Sequence, residues 1–197
     1  MFDRFIKLLN RYTELNAKEV DYLWKIRNQI PAQTYRKNEV IFRAGQIFNT
    51  MYFVLNGCVR LYYNNNGNEK TAFFYTKGKF FRAVESYRDE IPARENYQAI
   101  EDTTLLLFHR SFLRQLMKQY AKFEHIAQLA VEDELITAQN MISTFVTKSP
   151  EQRYLELIKN NQELFKNINQ HYIASYLGVT PESLSRIKKR ALMKEKN

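Results

Sequence analysis

Residues 170–190 read QHYIASYLGVTPESLSRIKKR, and this stretch decides how the C-terminal part of the chain folds. Its first half predicts a short helix with Ile173 and Leu177 on one apolar face. Gly178 then supplies the positive φ that ends a helix sharply. Thr180 is predicted to cap a second helix that begins immediately afterwards. The pattern therefore indicates two short helices joined by a tight glycine turn.

The second helix is polar and basic on its outer face. Pro181 suits its first position, whereas Leu184 and Ile187 are predicted to face inward. Two such helices are typical of a helix-turn-helix, in which the second helix enters the major groove of DNA. The ordinary alternative for a basic amphipathic helix is a solvated surface. The residues predicted to face DNA are His171, Thr180, Glu182, Ser183, Ser185, Arg186, Lys188, Lys189 and Arg190.

The charge of the chain fits an anionic partner. The 197 residues carry 30 Lys or Arg and 21 Asp or Glu, a formal net charge of +9. From residue 148 onward ten basic residues face five acidic ones, so +5 lies in the last fifty positions. Nucleic acid and an anionic membrane are the natural partners of such a surface. The alternative is that the positive charge serves only to keep the protein soluble.

Several protein classes are excluded or disfavoured by composition. No run of eighteen apolar residues and no secretory signal is recognisable, so we expect a cytoplasmic protein without a membrane partner. The single Cys58, expected in the core of a strand, cannot form an intramolecular disulfide or hold an iron–sulfur cluster. His109 and His125 are isolated and are expected to be structural, not haem ligands. No catalytic constellation or metal-ligand spacing is present, so we expect neither an enzyme nor a metal site.

The remainder of the chain divides into helix, β structure and a long helix. Residues 1–30 predict helix, with a capping box formed by Asn16 and Glu19. Residues 35–110 predict short antiparallel strands separated by glycine- and asparagine-rich turns. A long helix follows, in which apolar residues recur at coiled-coil spacing and predict a dimer seam; the alternative is that they are core. These residues are Val131, Leu135, Ala138, Ile142 and Phe145.

The order of these parts resembles the Crp/Fnr family of bacterial transcription regulators. The stretches IASYLGVTPESLSRIKK and RAGQIFNTMYFVLNGCVRLYYNNNGNEKTAFFYTKGKFF carry the resemblance. It implies an α+β fold: an N-terminal antiparallel β jelly roll with flanking helices, a long dimerisation helix and a C-terminal helix-turn-helix domain. The implied boundaries are 1–123, 124–147 and 148–197. It also implies a homodimer that binds double-stranded DNA as a sequence-specific regulator, with RNA polymerase as a further partner.

The DNA-reading positions match the family only in part. Where the family carries an arginine, this chain has Pro181, which offers no side-chain donor to a base. Glu182 and Arg186 match the two other reading positions and suit cytosine and guanine respectively. The operator is therefore expected to differ from the best-known one.

The segment KGKFFRAVESYRDEIPARENYQ, residues 77–98, occupies the place of the family's cyclic-phosphate cassette. Arg94 matches the phosphate-binding arginine. Arg82 and Ala83 replace a Gly-Glu pair, and Glu95 replaces the following Ser or Thr, so a negative charge stands beside the phosphate position. We therefore expect no cofactor and no binding of cyclic AMP or cyclic GMP.

Several alternatives for this segment stay open. A remodelled pocket would be formed by Arg82, Ala83, Glu85, Ser86, Arg94 and Glu95. It would be self-paired and ligand-free, or would hold another small anion. A shifted register would make Glu85 and Ser86 the acidic pair, and a solvated charged loop is the structural alternative. At the level of the whole chain, the alternatives are a ligand-binding signalling module that acts through protein partners and an architectural DNA binder without effector control.

Overall fold

The computed structural model describes residues 1–194, except for the side chains of residues 160–167 and 192–194. Two helices, α1 (Phe2–Leu9) and α2 (Ala17–Ile26), open the chain and are followed by a 3₁₀ turn (Arg27–Gln29). Asn16 and Glu19 form the predicted capping box, because each side chain accepts the other residue's backbone N–H.

Eight antiparallel strands follow: β1 (Ala32–Tyr35), β2 (Val40–Phe42), β3 (Thr50–Asn56), β4 (Cys58–Asn65), β5 (Asn68–Thr76), β6 (Phe80–Phe81), β7 (Asn96–Ala99) and β8 (Thr103–His109). They form two four-stranded sheets, with the orders β1-β8-β3-β6 and β2-β7-β4-β5. A short helix, α3 (Val84–Asp89), lies between β6 and β7. The inner faces of the two sheets enclose an aromatic core that includes Phe48, Phe81 and Tyr97. This is the predicted jelly roll.

Five helices follow in the described part of the chain. They are α4 (Arg110–Gln119), α5 (Ala121–Thr147), α6 (Pro150–Asn167), α7 (Gln170–Tyr176) and α8 (Pro181–Lys194). The α5 helix begins at Ala121, three residues before the predicted position, and its first turns pack into the core through Phe123 and Ile126. Ser149 caps α6 in a full capping box, with Pro150 at the first helical position as the sequence indicates. Among the described residues, no helix has the length and apolar character needed to cross a membrane.

Candidate nucleic-acid interface and effector cavity

The turn between α7 and α8 has the geometry that the sequence predicts. Gly178 has a φ of +68°, and a Cβ atom there would lie 2.9 Å from the Phe145 ring on α5. The Val179 N–H donates to the Ala174 carbonyl at 3.0 Å, which closes the end of α7. The Thr180 hydroxyl then accepts the Ser183 N–H at 3.2 Å and caps α8. These contacts define the turn that joins the two helices.

The outer face of α8 is exposed while its inner face is anchored. Leu184 and Ile187 are almost fully buried beneath it. Of the predicted DNA-facing residues, His171, Thr180, Glu182, Ser185, Arg186, Lys189 and Arg190 are exposed, and Ser183 and Lys188 are half-buried. A backbone N–H and the Thr180 hydroxyl lower the pKa of Glu182, so this carboxylate is ionised and ready to accept a hydrogen bond.

The start of α6 joins this surface, which the sequence did not indicate. Ser149, Pro150 and Glu151 line one side of an open groove of about 630 Å³. Arg186 and Lys189 line the other side. The groove thus combines the positive end of a helix with cations of α8, an arrangement that favours an anion. The Ser149-Pro150 helix start was the available signal, but only the fold places it beside α8.

The helix-turn-helix is attached to the outer face of one sheet through a buried arginine. The Arg60 guanidinium on β4 is 1% exposed and donates to Gln98 at 2.7 Å and to Glu69. Its Cζ lies 3.7 Å from the ring centroid of Tyr172 on α7 and 4.0 Å from that of Tyr62. This stacking between two rings joins the C-terminal helices to the β domain.

A second polar contact lies beside Arg60. The Ser175 hydroxyl on α7 accepts the Thr71 N–H at 2.9 Å and donates to the Glu69 carbonyl at 3.2 Å. Cys58 lies fully buried in the apolar cluster beneath these helices, as the sequence predicts for a core cysteine. Burial raises the pKa of its thiol, so it is a protonated core group.

A cavity of about 650 Å³ lies between the jelly roll and α5. Four of the predicted pocket residues line it: Arg82, Glu85, Arg94 and Glu95. A fifth charged group, Glu134 of α5, was missed because nothing in the sequence places α5 over this segment. Glu134 accepts the Tyr75 hydroxyl at 2.7 Å, and burial raises the pKa of Glu134.

Arg94 is already engaged by acidic groups. Its guanidinium lies 3.7 Å from the Glu85 carboxylate. The Glu95 side chain accepts the backbone N–H of Arg94 at 3.1 Å. A cyclic phosphate at Arg94 would have to displace one carboxylate and sit beside the other, which Coulomb repulsion opposes.

Comparison with known proteins agrees with this arrangement. Residues 32–120 match the family model described as "Cyclic nucleotide-binding domain". The Electron transport regulator A of Shewanella oneidensis is 24% identical over 187 residues, which cover 88% of this chain and 72% of that protein. FixK2 from Bradyrhizobium japonicum superposes with a TM-score of 0.72 at 22% identity, over 84% of this chain and 86% of that one. TTHA1359 from Thermus thermophilus, a transcriptional regulator of the Crp/Fnr family, superposes with a TM-score of 0.65 at 19% identity, over 83% of this chain and 87% of that one.

The chain shares its fold with TTHA1359, a regulator of the Crp/Fnr family. The family resemblance and the fold class expected from the sequence are both confirmed by these matches. Within this architecture, the cavity under α5 lies against the part of the chain that matches the cyclic nucleotide-binding domain, and α7 and α8 form a helix-turn-helix.

Two of the predicted pocket residues lie elsewhere in the β domain. Ala83 is fully buried in the core, where it precedes α3. Ser86 is 1% exposed, and its hydroxyl accepts the Phe48 N–H at 2.7 Å. The segment forms a helix at Val84–Asp89, so Glu85 and Ser86 point to different sides and do not act as a pair.

Most of the predicted seam on α5 faces solvent in the single chain. Leu135 and Ile142 are 56% and 62% exposed, and Val131 is also exposed. Ala138 instead lines the cavity. Phe145 is partly covered, because the Arg153 guanidinium lies 4.4 Å from its ring centroid.

Proposed function

We propose that this protein is a homodimeric, sequence-specific DNA-binding transcription regulator with a sensor domain that does not use cyclic nucleotides. The observation that carries the proposal is the face of α8, where a capped and anchored helix presents Glu182, Arg186 and Lys189 to solvent. A carboxylate and a guanidinium at the start of such a helix can reach base edges, and the lysine can reach phosphate. The proposed site of action is the cytoplasm, with RNA polymerase as a further partner.

The proposed dimer uses α5. Val131, Leu135 and Ile142 are large apolar side chains that stand exposed at coiled-coil spacing on one helix. Exposed apolar rows of this kind mark interaction surfaces. A second copy of the helix would cover the row and place two copies of α8 on a two-fold DNA site.

The test is selection of binding sites from random duplexes, followed by affinity measurements on the selected site and on a scrambled one. Arg186→Ala is expected to relax sequence preference at one position of each half-site, at a cost of about 1–3 kcal/mol. Lys189→Ala is expected to weaken binding to both duplexes equally and to lower the salt dependence by about one unit.

Lys18→Ala is the matched control, because Lys18 is an exposed lysine on α2 in the N-terminal part of the chain. Its variant should bind DNA as the native protein does. If no duplex is enriched, or if Arg186→Ala retains the full sequence preference, the assignment of α8 as the helix that contacts base edges is wrong. Failure to bind any DNA would favour the alternative, a ligand-binding module that signals through protein partners.

A further inference from the structure

The cavity under α5 has a planar aromatic lining. Tyr63, Phe73, Tyr75 and Tyr97 form its apolar walls. The Phe73 and Tyr75 rings are stacked, with centroids 5.6 Å apart. Tyr75 lies 6.2 Å from Tyr97. Ring faces at these spacings favour a flat apolar ligand over a flexible chain.

Tyr97 has a buried hydroxyl in this cavity. The residue is 0% exposed, and among the described residues its hydroxyl has no hydrogen-bond partner. Glu134 of α5, which also lines the cavity, accepts the Tyr75 hydroxyl instead. A buried donor without an acceptor carries a desolvation cost, and a ligand that supplies an acceptor would relieve it.

Arg82 supplies a second uncommitted donor in the same cavity. Its guanidinium packs over the Tyr87 ring, 4.9 Å from the centroid. Its positive charge acts on Glu134 in the same cavity and partly offsets the raised pKa of that carboxyl, but no ion pair of Arg82 is formed among the described residues. Arg94 differs in this respect, since Glu85 lies beside it. The cavity therefore offers one buried hydroxyl and one half-buried guanidinium that have no acceptor among the described residues.

We propose that the cavity binds a small aromatic carboxylate, whose oxygens accept hydrogen bonds from Tyr97 and Arg82 while its ring packs among the tyrosines and Phe73. A carboxylate supplies the single negative charge and the several acceptor sites that these two donors need. The carboxylate is placed at Arg82 and not at Arg94, because Glu85 and Glu95 already engage Arg94 and would repel an anion there. The role of such a ligand as an effector rests on the proposed regulatory function, whereas its binding does not.

The experiment is isothermal titration of the full-length protein, without DNA, using 2-naphthoate as the probe. We expect saturable binding, with the neutral amide 2-naphthamide at least about tenfold weaker because it lacks the charge. Tyr97→Phe and Arg82→Gln are each expected to weaken 2-naphthoate binding by about tenfold or more. Arg88→Gln is the matched control: Arg88 is an exposed arginine paired with Asp89 outside the cavity, and its variant should bind normally.

A stability measurement separates ligand recognition from a structural role. Because Tyr97→Phe removes an unsatisfied buried hydroxyl, it is expected to raise the melting temperature of the ligand-free protein while it lowers affinity. The inference is overturned if the native protein does not bind 2-naphthoate, if Tyr97→Phe binds it as tightly as the native protein, or if cyclic AMP binds more tightly. Selection of DNA sites by the same preparation would leave the proposed DNA-binding function intact in each of these cases. Tighter binding of cyclic AMP would in addition refute the proposal that the sensor domain does not use cyclic nucleotides.

Discussion

Replacing Tyr172 by leucine is expected to weaken the attachment of the C-terminal helices to the β domain by about 1–2 kcal/mol. The Arg60 guanidinium lies 3.7 Å from the Tyr172 ring centroid and is 1% exposed, so the attraction is screened little by water. Leucine keeps apolar contact but has no ring, and Tyr62 still covers the other face of the guanidinium. Tyr172→Phe keeps the ring and is expected to cost less than about 0.5 kcal/mol.

A double-mutant cycle between Tyr172→Leu and Arg60→Met isolates this contact. The free energy of unfolding in urea is measured for the native protein, both single variants and the double variant. The cycle cancels the loss of the Arg60 hydrogen bonds to Glu69 and Gln98, which both Arg60→Met proteins lack. A coupling energy below about 0.5 kcal/mol, or an equal loss in Tyr172→Phe, would show that the ring does not hold the arginine.

Three further predictions concern the β domain and α5. Gly57→Ala is expected to lower the free energy of unfolding in urea by more than about 3 kcal/mol, because its Cβ would lie 2.4 Å from the Thr103 hydroxyl. Gly45 has a similar φ but open space around it, so Gly45→Ala should cost only about 1–2 kcal/mol. Equal losses in the two variants would contradict the steric argument. Burial raises the pKa of Glu134 above 4.5, so the folded protein holds the proton more tightly than the unfolded chain. The free energy of unfolding should therefore fall as the pH rises above about 4.5, and Glu134→Gln should flatten this dependence. An unchanged slope in Glu134→Gln would show that other groups cause the pH dependence. Leu135→Asp should give monomers by analytical ultracentrifugation while Leu135→Met stays dimeric, and an unchanged mass would remove α5 as the interface.

The helix-turn-helix was predictable because its determinants are local. Gly178, Thr180 and Pro181 specify a helix end and a helix start by their own backbone and side-chain chemistry, whatever surrounds them. The jelly roll was predictable as a class for a similar reason, since turn residues separate apolar runs at short intervals.

The cavity was predictable only in part, because its composition depends on tertiary placement. Arg82 and Arg94 were identified, but Ala83 and Ser86 turn into the core once the segment forms α3. Tyr97 gave no signal, since a tyrosine in a short strand is ordinary until its hydroxyl proves to be unsatisfied.

Arg60 is recognisable in the sequence as an unusual residue. It is a charged residue within the apolar strand run CVRLYY, and a charge in such a run requires a partner from another element. The sequence could not show that the partner is Tyr172, more than a hundred residues away.

The position of Ser175 has a consequence for aggregation. β5 is the outermost strand of its sheet, so one row of its peptide groups has no neighbouring strand. The Ser175 hydroxyl pairs with the Thr71 N–H and the Glu69 carbonyl of that row, and α7 covers the strand. If the C-terminal helices swing away, the edge becomes a template for strand addition by another chain. The docked helix-turn-helix thus acts as a protective cover for the sheet, and any signal that releases it also exposes a site for self-association.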